Sequence, residues 1–475
     1  MMFKAWFAVF VVWAIGAAVF TLSCSDPRRW VLAAKLGLSF GVGLATLTLT
    51  LFLASLCGVK PSPWLGLSEL IALWAIVFAA KRKQLFEWLT QSDRVHHVAE
   101  PFWIRMVEVA LVIFVIGIVS VVAAVTILEP IVEWDVMGIW ALKAKVLLHE
   151  PVLASGYFRD LSKAYSHLDY PLLWPMAMAW IWSWNGESDL ASVKVLGIAL
   201  LASFLMSFFG LLRRRQPRVV ALLFTALLAG LPIFLSQTSR MMADVPLAFF
   251  FLGSSVCAYF WIESQHRDDL QMAAIFMVGM LFTKNEGIGL WAILLFVVTI
   301  FVVTNKQTKN LFSMASWLAL VPLLANGAWF LFRAGIAKAH EDYGGRINPA
   351  YFFNNISRVP EVLSGWTSAF CNWTDWLIFW PLAFLILLAA PANCLRRPMI
   401  FLLLAATLPL LMYGYVYVVS PWNLKALMEA TANRLLLQVA PLWLFLLAEQ
   451  VRTSNLLPFF RRQNGERRRP LTDNK

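Results

Sequence analysis

The chain has 475 residues and a formal net charge of +12 at pH 7, yet only 14% of its residues are charged and 60% are hydrophobic. This composition excludes a soluble domain with one core, because there are too few polar side chains to cover its apolar surface. The positive charge does not indicate nucleic-acid binding, since the basic residues fall in short clusters between apolar runs rather than along one face.

Apolar runs recur along the whole chain. A bilayer core needs about 20 apolar residues in a helix, and this criterion predicts an all-α polytopic membrane protein with about 13 transmembrane helices. The predicted spans are Ala5 to Leu22, Trp30 to Leu56, Trp64 to Ala80, Ile104 to Leu128, Asp189 to Leu212, Val219 to Leu235, Val245 to Ile262, Met272 to Phe282, Gly287 to Thr304, Leu311 to Phe332, Trp373 to Ala390, Ile400 to Val419 and Leu435 to Leu447. We expect the first run to be a retained span, because it lacks the small-residue cleavage pattern of a signal peptide.

These runs suggest a division of the chain. We expect an N-terminal extension of about three spans in residues 1–103. A membrane module would follow in residues 104–310, with an outer loop at residues 129–188. The C-terminal spans would occupy residues 311–451, with an outer loop at residues 333–372, and residues 452–475 would form a basic cytoplasmic tail.

The basic clusters predict the orientation, because Lys and Arg collect on the cytoplasmic side of membrane proteins. The clusters are Arg28-Arg29, Lys81 to Lys83, Arg213 to Arg215, Lys306 to Lys309, Arg396-Arg397 and Arg461 to Arg469. All of them lie inside if Pro171 to Trp184 stays on the outer side as a juxtamembrane or re-entrant helix, whose Trp180 to Trp184 we expect to form an interfacial belt.

The predicted outer face then holds the polar residues that could form a site. It contains a long acidic loop with Glu129, Glu133, Asp135, Asp160 and Asp169, followed by the turns at Ser236 to Asp244 and Thr283 to Glu286. Carboxylates beside a span are costly, so they often have a function. Asp135 could take a proton from an attacking hydroxyl, or it could only cap the next helix. That helix, around Ile139 to Lys145, is suited to lie along a bilayer surface.

Two interpretations are possible for each of three further features: Asp244, the pair Lys284 and Glu286, and Arg434. Asp244 could belong to a site or could only mark the start of a helix. Lys284 and Glu286 could neutralise each other in a structural turn, or Lys284 could bind a lipid-linked phosphate. Arg434 could extend to the membrane interface, or it could hold a phosphate oxygen with its planar fork.

The cysteines do not predict a metal centre. Five Cys are present, and they lack both metal-ligand spacing and the pattern of a disulfide framework. The cysteines therefore support neither a zinc site nor a disulfide framework. Separately, we expect no metal and no cofactor.

An ordered set of short segments carries a resemblance. The acidic loop is followed by HLDYPLL at 167–173, ADVPL at 243–247 and TKNEG at 283–287. Over roughly residues 104 to 450 this order resembles the C-type membrane glycosyltransferases, in particular bacterial relatives of the protein O-mannosyltransferases and lipid A aminoarabinose transferases. The resemblance implies an enzyme that transfers a sugar from a polyprenyl-phosphate carrier to an acceptor hydroxyl on the outer face of the bacterial inner membrane.

The resemblance also implies roles for residues. Asp135 would be the general base of an inverting single displacement, Asp244 matches the second outer-loop acidic position, and Lys284 and Arg434 would stabilise the departing phosphate. Asp169 would position the acceptor or cap the helix that begins near Pro171. The remaining predicted substrate-binding residues are Glu133, Lys143, Lys145 and Glu286. Because Asp135 lacks the adjacent acidic partner that many members have, the resemblance does not imply a bound metal.

Two other functions remain possible from the sequence. A transporter or lipid flippase would also need many spans and charges within the membrane. A polysaccharide polymerase or ligase would differ mainly in using a lipid-diphosphate oligosaccharide as donor. The sequence does not identify the sugar, the donor lipid, the acceptor or the oligomeric state.

Overall fold

The structure, a computed structural model, describes residues 1–90, 101–306, 308–336 and 343–454, and every regular element in these ranges is helical. The all-α prediction is thus confirmed for this part of the chain. The first half contains α1 Met2–Ser23, α2 Leu32–Leu56, α3 Pro63–Thr90, α4 Phe102–Leu128, α5 Leu142–His149, α6 Leu173–Asn185, α7 Leu190–Arg213, α8 Arg218–Ala229, α9 Pro232–Ser239, α10 Asp244–Ser264, α11 Arg267–Thr283 and α12 Glu286–Thr304.

The second half is more broken. It contains α13 Leu311–Met314, α14 Val321–Ala325, α15 Gly327–Ala334, α16 Tyr343–Arg346, α17 Pro349–Asn354, α18 Val359–Phe370, α19 Trp373–Trp376, α20 Phe379–Leu388, α21 Pro391–Cys394, α22 Arg397–Val419 and α23 Leu424–Thr453. Wider π-helical turns at Asp135–Ala141 and Ala315–Leu320 precede α5 and α14.

The predicted number of about 13 spans is not confirmed. Within the described ranges nine helices are long and apolar enough to cross a membrane, and there are 11 if each bent pair counts as one span. The pairs are α8 with α9, bent by 61°, and residues 311–325 with α15, bent by 47°. Two predicted spans are short: α11 has 17 residues and begins with Arg267-Asp268-Asp269, and α20 has 10 residues.

Local signals fix where the helices begin and end. The side chain of Asp189 caps α7 by accepting hydrogen bonds from the amides of Ala191 and Ser192, at 3.0 and 2.9 Å. Gly186, with φ +77°, ends α6 in the left-handed conformation that glycine adopts without steric cost. Apolar length and these caps together define the span boundaries.

The bundle is organised around α10, whose apolar window is completely buried. It packs against α11 and α23, and α2 packs against both α7 and α11. By contrast, only 11% of the apolar window is buried in α3 and in α4. Charged groups at either end of α10 are therefore held by neighbouring helices rather than by lipid.

The polar ends of the bundle differ. At one end, here the basic end, Arg214 binds Asp269 at 2.6 Å and Lys81 donates to the carbonyl of Cys24 at 3.4 Å. Arg397 at the same end donates to Asn305 at 2.8 Å. The other end, the loop end, carries residues 129–172 and the turns before α10 and α12. The basic clusters within the described residues thus gather at one end, whereas Arg461 to Arg469 lies outside them.

The segment predicted as an interfacial belt is packed inside the bundle. In α6, Trp180 and Trp182 are at most 1% exposed. Trp180 donates its indole N–H to the carbonyl of Ala8 at 3.1 Å, and Trp182 donates to the carbonyl of Asp189 at 2.6 Å. The belt interpretation is wrong for these two residues, because protein carbonyls, not lipid headgroups, satisfy their polar atoms.

The N-terminal spans approach each other very closely through glycine. A Cβ atom on Gly16 of α1 would lie 1.7 Å from the carbonyl oxygen of Ser39, and one on Gly43 of α2 would lie 1.8 Å from that of Val12. Small residues let backbones approach in this way, which favours packing of membrane helices.

We predict that Gly16→Ala and Gly43→Ala each destabilise the protein by about 1–3 kcal/mol, because the added methyl group must push two backbones apart. The matched control is Gly117→Ala in α4, where a Cβ would meet no atom within 4 Å. Thermal unfolding in detergent measures the difference. Equal midpoints for all three variants would contradict the close packing of α1 and α2.

Candidate functional site

A buried carboxylate lies at the centre of the loop end. Asp244 is the first residue of α10 and is 0% exposed. Its Oδ1 accepts from Lys284 Nζ at 2.8 Å and from Gln438 Nε2 at 2.6 Å. Its Oδ2 accepts from Arg434 Nε and Nη2, both at 3.0 Å. The side chain does not cap α10, because both its oxygens are used to hold these donors.

Lys284 connects this carboxylate to a second one. It lies in the turn between α11 and α12, and its Nζ is also 2.9 Å from Glu286 Oε1. Burial disfavours the charged amine, but the carboxylates of Asp244 and Glu286 outweigh this and hold the pKa of Lys284 above its ordinary value. Lys284 therefore neutralises Glu286 and is also bound to Asp244.

Arg434 extends the network to the first loop. Its Nη1 lies 2.8 Å from Asp135 Oδ2, while its other nitrogens bind Asp244. Gln438 follows one turn later on α23, so it shares a helix face with Arg434. The hydroxyl of Tyr413, on α22, donates to Gln438 Oε1 at 2.6 Å. Arg434 does not extend to the interface; it links two carboxylates.

Asp135 is the most exposed carboxylate of this network. Its side chain is 29% exposed, against 24% for Glu286 and 1% for Asp244. It begins a π-helical turn, a feature often found at functional sites, and it does not cap the following helix. The Trp134 ring packs over Gly138, where a Cβ would lie 3.1 Å from the ring. The turn therefore has no room for a larger residue at Gly138, and its Asp135 carboxylate is partly exposed beside Arg434.

Asp169 forms a second set of contacts next to this network. Its Oδ2 accepts from Asn285 Nδ2 and from Arg333 Nη2, each at 3.1 Å. It does not cap α6, which begins at Leu173 without a side-chain cap. Asn285 lies between Lys284 and Glu286, so this contact joins the first loop and α15 to the same turn.

The other predicted residues lie apart from these contacts. Glu133 Oε1 is 3.1 Å from Arg240 Nη1, in the turn before α10. Lys145 is exposed on α5. Lys143 is 0% exposed, so the helix predicted to lie on a bilayer surface is instead packed inward at this position.

Lys143 is enclosed by aromatic rings. Its Nζ donates to the carbonyl of His167 and lies 5.8 Å from the ring centre of Trp140 and 5.6 Å from that of Tyr170. Burial lowers the pKa of Lys143 from 10.5 to about 7, against the opposing effect of Asp169. In this structure Lys143 pins the first loop and is not exposed to a substrate.

The charges of the central network do not balance. Three carboxylates (Asp135, Asp244 and Glu286) face two cations (Lys284 and Arg434), which leaves one negative charge. The partly exposed carboxylate of Asp135 is thus connected to two cations, Arg434 and Lys284, that are less exposed than it is. This arrangement can accept a proton at Asp135 and can hold an anion at Arg434 and Lys284.

A small cavity lies near the Asp169 contact. Its volume is about 180 Å³, and it is lined mainly by apolar side chains together with Arg159. Phe332, which precedes Arg333, forms one wall, and Phe158 of the first loop forms another. Ligand pockets usually have volumes of about 300–1,000 Å³, so this cavity admits only part of a substrate. Within the described residues, no group of three or more His, Cys, Asp and Glu side chains could hold a metal ion.

Sequence reasoning missed several partners. Gln438, Tyr413, Asn285, Arg240 and Arg333 all bind predicted site residues. For Gln438 a signal was present, because a polar residue one turn after Arg434 interrupts an apolar helix.

No family model, no curated protein and no solved structure matches the chain.

We predict that Asp244→Asn destabilises the protein, because it deprives the buried Lys284 and the partly buried Arg434 of the carboxylate that holds both. Removing one partner of a buried pair typically costs about 3–5 kcal/mol, and we expect the lower value because Glu286 and Asp135 still pair with Lys284 and Arg434. Thermal unfolding of the purified protein measures the loss. Adding Lys284→Met should restore part of it. The exposed Asp160→Asn is the control, and an unchanged midpoint for Asp244→Asn would contradict the prediction.

A second prediction follows from Lys143. Its pKa in the folded protein, about 7, lies below the ordinary 10.5, so between these values only the unfolded chain keeps the proton. Stability should therefore rise with pH across this window. We expect Lys143→Met to be more stable than wild type at pH 7, and we expect the gap to narrow as the pH approaches 10. Unfolding midpoints measured across this range test it.

The control for this series is Lys145→Met on the exposed side of the same helix. The difference in unfolding midpoint between Lys145→Met and wild type should not change with pH. If the difference between Lys143→Met and wild type also stays constant from pH 7 to 10, the buried amine does not titrate in this pH range.

Proposed function

We propose that this chain is an integral-membrane glycosyltransferase. It would move a sugar from a polyprenyl-phosphate carrier to an acceptor hydroxyl, with inversion and without a cofactor. The observation that carries the proposal is the link from Asp135 to Arg434 and, through Asp244, to Lys284, since it joins a partly exposed base to two cations in one network. A single displacement needs both a base for the acceptor hydroxyl and cations for the departing phosphate.

Each residue has a distinct task in this reaction. Asp135 takes the proton of the acceptor hydroxyl as its oxygen attacks the anomeric carbon. The bond from that carbon to the carrier phosphate breaks, and its electron pair passes to the phosphate oxygen. Arg434 and Lys284 stabilise the charge that grows there, and Asp244 holds these cations in position. Asp169 is placed to orient the acceptor.

The charge distribution supports an orientation. Basic clusters collect at the end opposite the network, and positive charge favours the cytoplasmic side. The loop end would then face the periplasm or exterior of a bacterial inner membrane. A carrier lipid could reach Arg434 there from the outer leaflet. Lys145, exposed on the first loop, is placed to attract its phosphate.

We predict that Asp135→Asn lowers the rate of sugar transfer by about 10²- to 10⁴-fold, the usual contribution of a general base. The assay uses the full chain in lipid nanodiscs, labelled hexoses and pentoses on polyprenyl monophosphate, and lipid, peptide and glycan acceptors. Asp160→Asn, an exposed acid on the same loop, should retain the wild-type rate.

Other outcomes would point elsewhere. Wild-type transfer by Asp135→Asn would refute the base assignment. Transfer only from lipid-diphosphate oligosaccharides would indicate a polymerase or ligase. An absence of transfer from every donor, together with lipid translocation in vesicles, would indicate a flippase.

A further inference from the structure

The guanidinium of Arg434 has two unequal edges. Nε and Nη2 bind the buried Asp244, whereas Nη1 binds Asp135, whose side chain is 29% exposed. The first edge is fixed, because breaking it would leave Oδ2 of the buried Asp244 without a donor. The second edge can exchange its partner with a ligand from water or from the membrane interface.

The excess negative charge of the network implies that an arriving phosphate must displace a carboxylate. The network already has one excess negative charge, and a phosphodiester adds another. Like charges in contact at low dielectric repel strongly. If Asp135 turns away, Asp244 and Glu286 balance Lys284 and Arg434, and the phosphate meets a neutral site with a free guanidinium edge. Asp135 is the carboxylate that a phosphate can displace from Arg434, because it is more exposed than Asp244 and is held by one nitrogen, whereas the partly exposed Glu286 pairs with Lys284 instead.

The present pairing also restrains Asp135 as a base. Its Oδ2 is held by Arg434 at 2.8 Å, so the carboxylate is turned toward the guanidinium rather than toward an acceptor hydroxyl. Rotation of the Asp135 side chain away from Arg434 would free the carboxylate to turn toward the acceptor.

We infer that Asp135 occupies, in this structure, the position of the substrate phosphate on Arg434, and that the phosphate activates the base by displacing it. This inference rests on the proposed function and adds a regulation to it. The base is released to turn toward the acceptor when a donor phosphate takes its place on Arg434.

The test measures binding and needs no turnover. Farnesyl monophosphate and inorganic phosphate are titrated against the full chain in nanodiscs, with farnesol as the uncharged control. We expect Asp135→Asn to bind farnesyl monophosphate about tenfold more tightly than wild type, because the competing carboxylate is gone. A protein in which Asp135 simply contacts the ligand or supports the fold would show unchanged or weaker binding.

Matched variants separate the explanations. Asp160→Asn removes one acidic charge from the same loop and should leave the affinity unchanged, which controls for general electrostatic attraction. In an Arg434→Gln background, Asp135→Asn should give no gain. Asp135→Ala should repeat the gain, and unfolding midpoints check that each variant is folded.

Each outcome either supports or overturns the inference. A gain with both phosphates shows that the site recognises the phosphate group itself, and a gain with farnesyl monophosphate alone shows that it recognises the lipid headgroup; both support the inference. Binding by wild type without a gain in Asp135→Asn overturns the inference and leaves the proposed function standing. No binding of either phosphate to any of the proteins overturns both.

Discussion

The burial of Asp244 is the constraint on which the loop end depends. A carboxylate at 0% exposure is costly unless its oxygens are satisfied, and here α23 and the turn before α12 supply all the donors. Satisfying Asp244 places Lys284 and Arg434 side by side, although 150 residues separate them in the chain (434 − 284). The cations cannot be brought together without a shared counter-charge, because they repel each other. Asp244 is thus better suited to organise the site than to act as its base.

The opposite end of α10 shows the same chemistry in a closed form. Asp269 is bound by both terminal nitrogens of Arg214, at 2.6 and 3.0 Å, and by Arg29. Asp268 accepts from the amides of Ser25 and Asp26 at 2.9 and 3.0 Å. These carboxylates are nearly buried, and their partners join α1, α7 and α11. Such a network fixes helices. The loop end differs, because two carboxylates of its network, Asp135 and Glu286, are partly exposed.

The sequence allowed part of this to be predicted. Charge beside an apolar run identified Asp135, Asp244, Lys284 and Arg434 one at a time, because each is expensive at that position. Their convergence was not predictable from spacing, since it depends on how α10 and α23 pack. The burial of Lys143 was missed for a related reason: its helix is amphipathic by pattern, but tertiary contacts decide which face is covered. The count of about 13 spans is not confirmed in the described residues, because Met272 to Phe282 and Trp373 to Ala390 belong to helices that are too short to meet the length criterion.

The N-terminal spans, expected to be an extension, contribute to the shape of the loop end. The hydroxyl of Ser55, at the end of α2, accepts from the amide of Val152 in the first loop at 2.7 Å. Phe52, one turn earlier, packs against Phe282 of α11 and Trp329 of α15. These contacts tie α2 to the first loop and to the helices on either side of the Lys284 turn. Since α2 also packs closely against α1 at Gly16 and Gly43, both N-terminal spans are connected by contacts to the loop that carries Asp135. The first spans therefore act as a support for the candidate site.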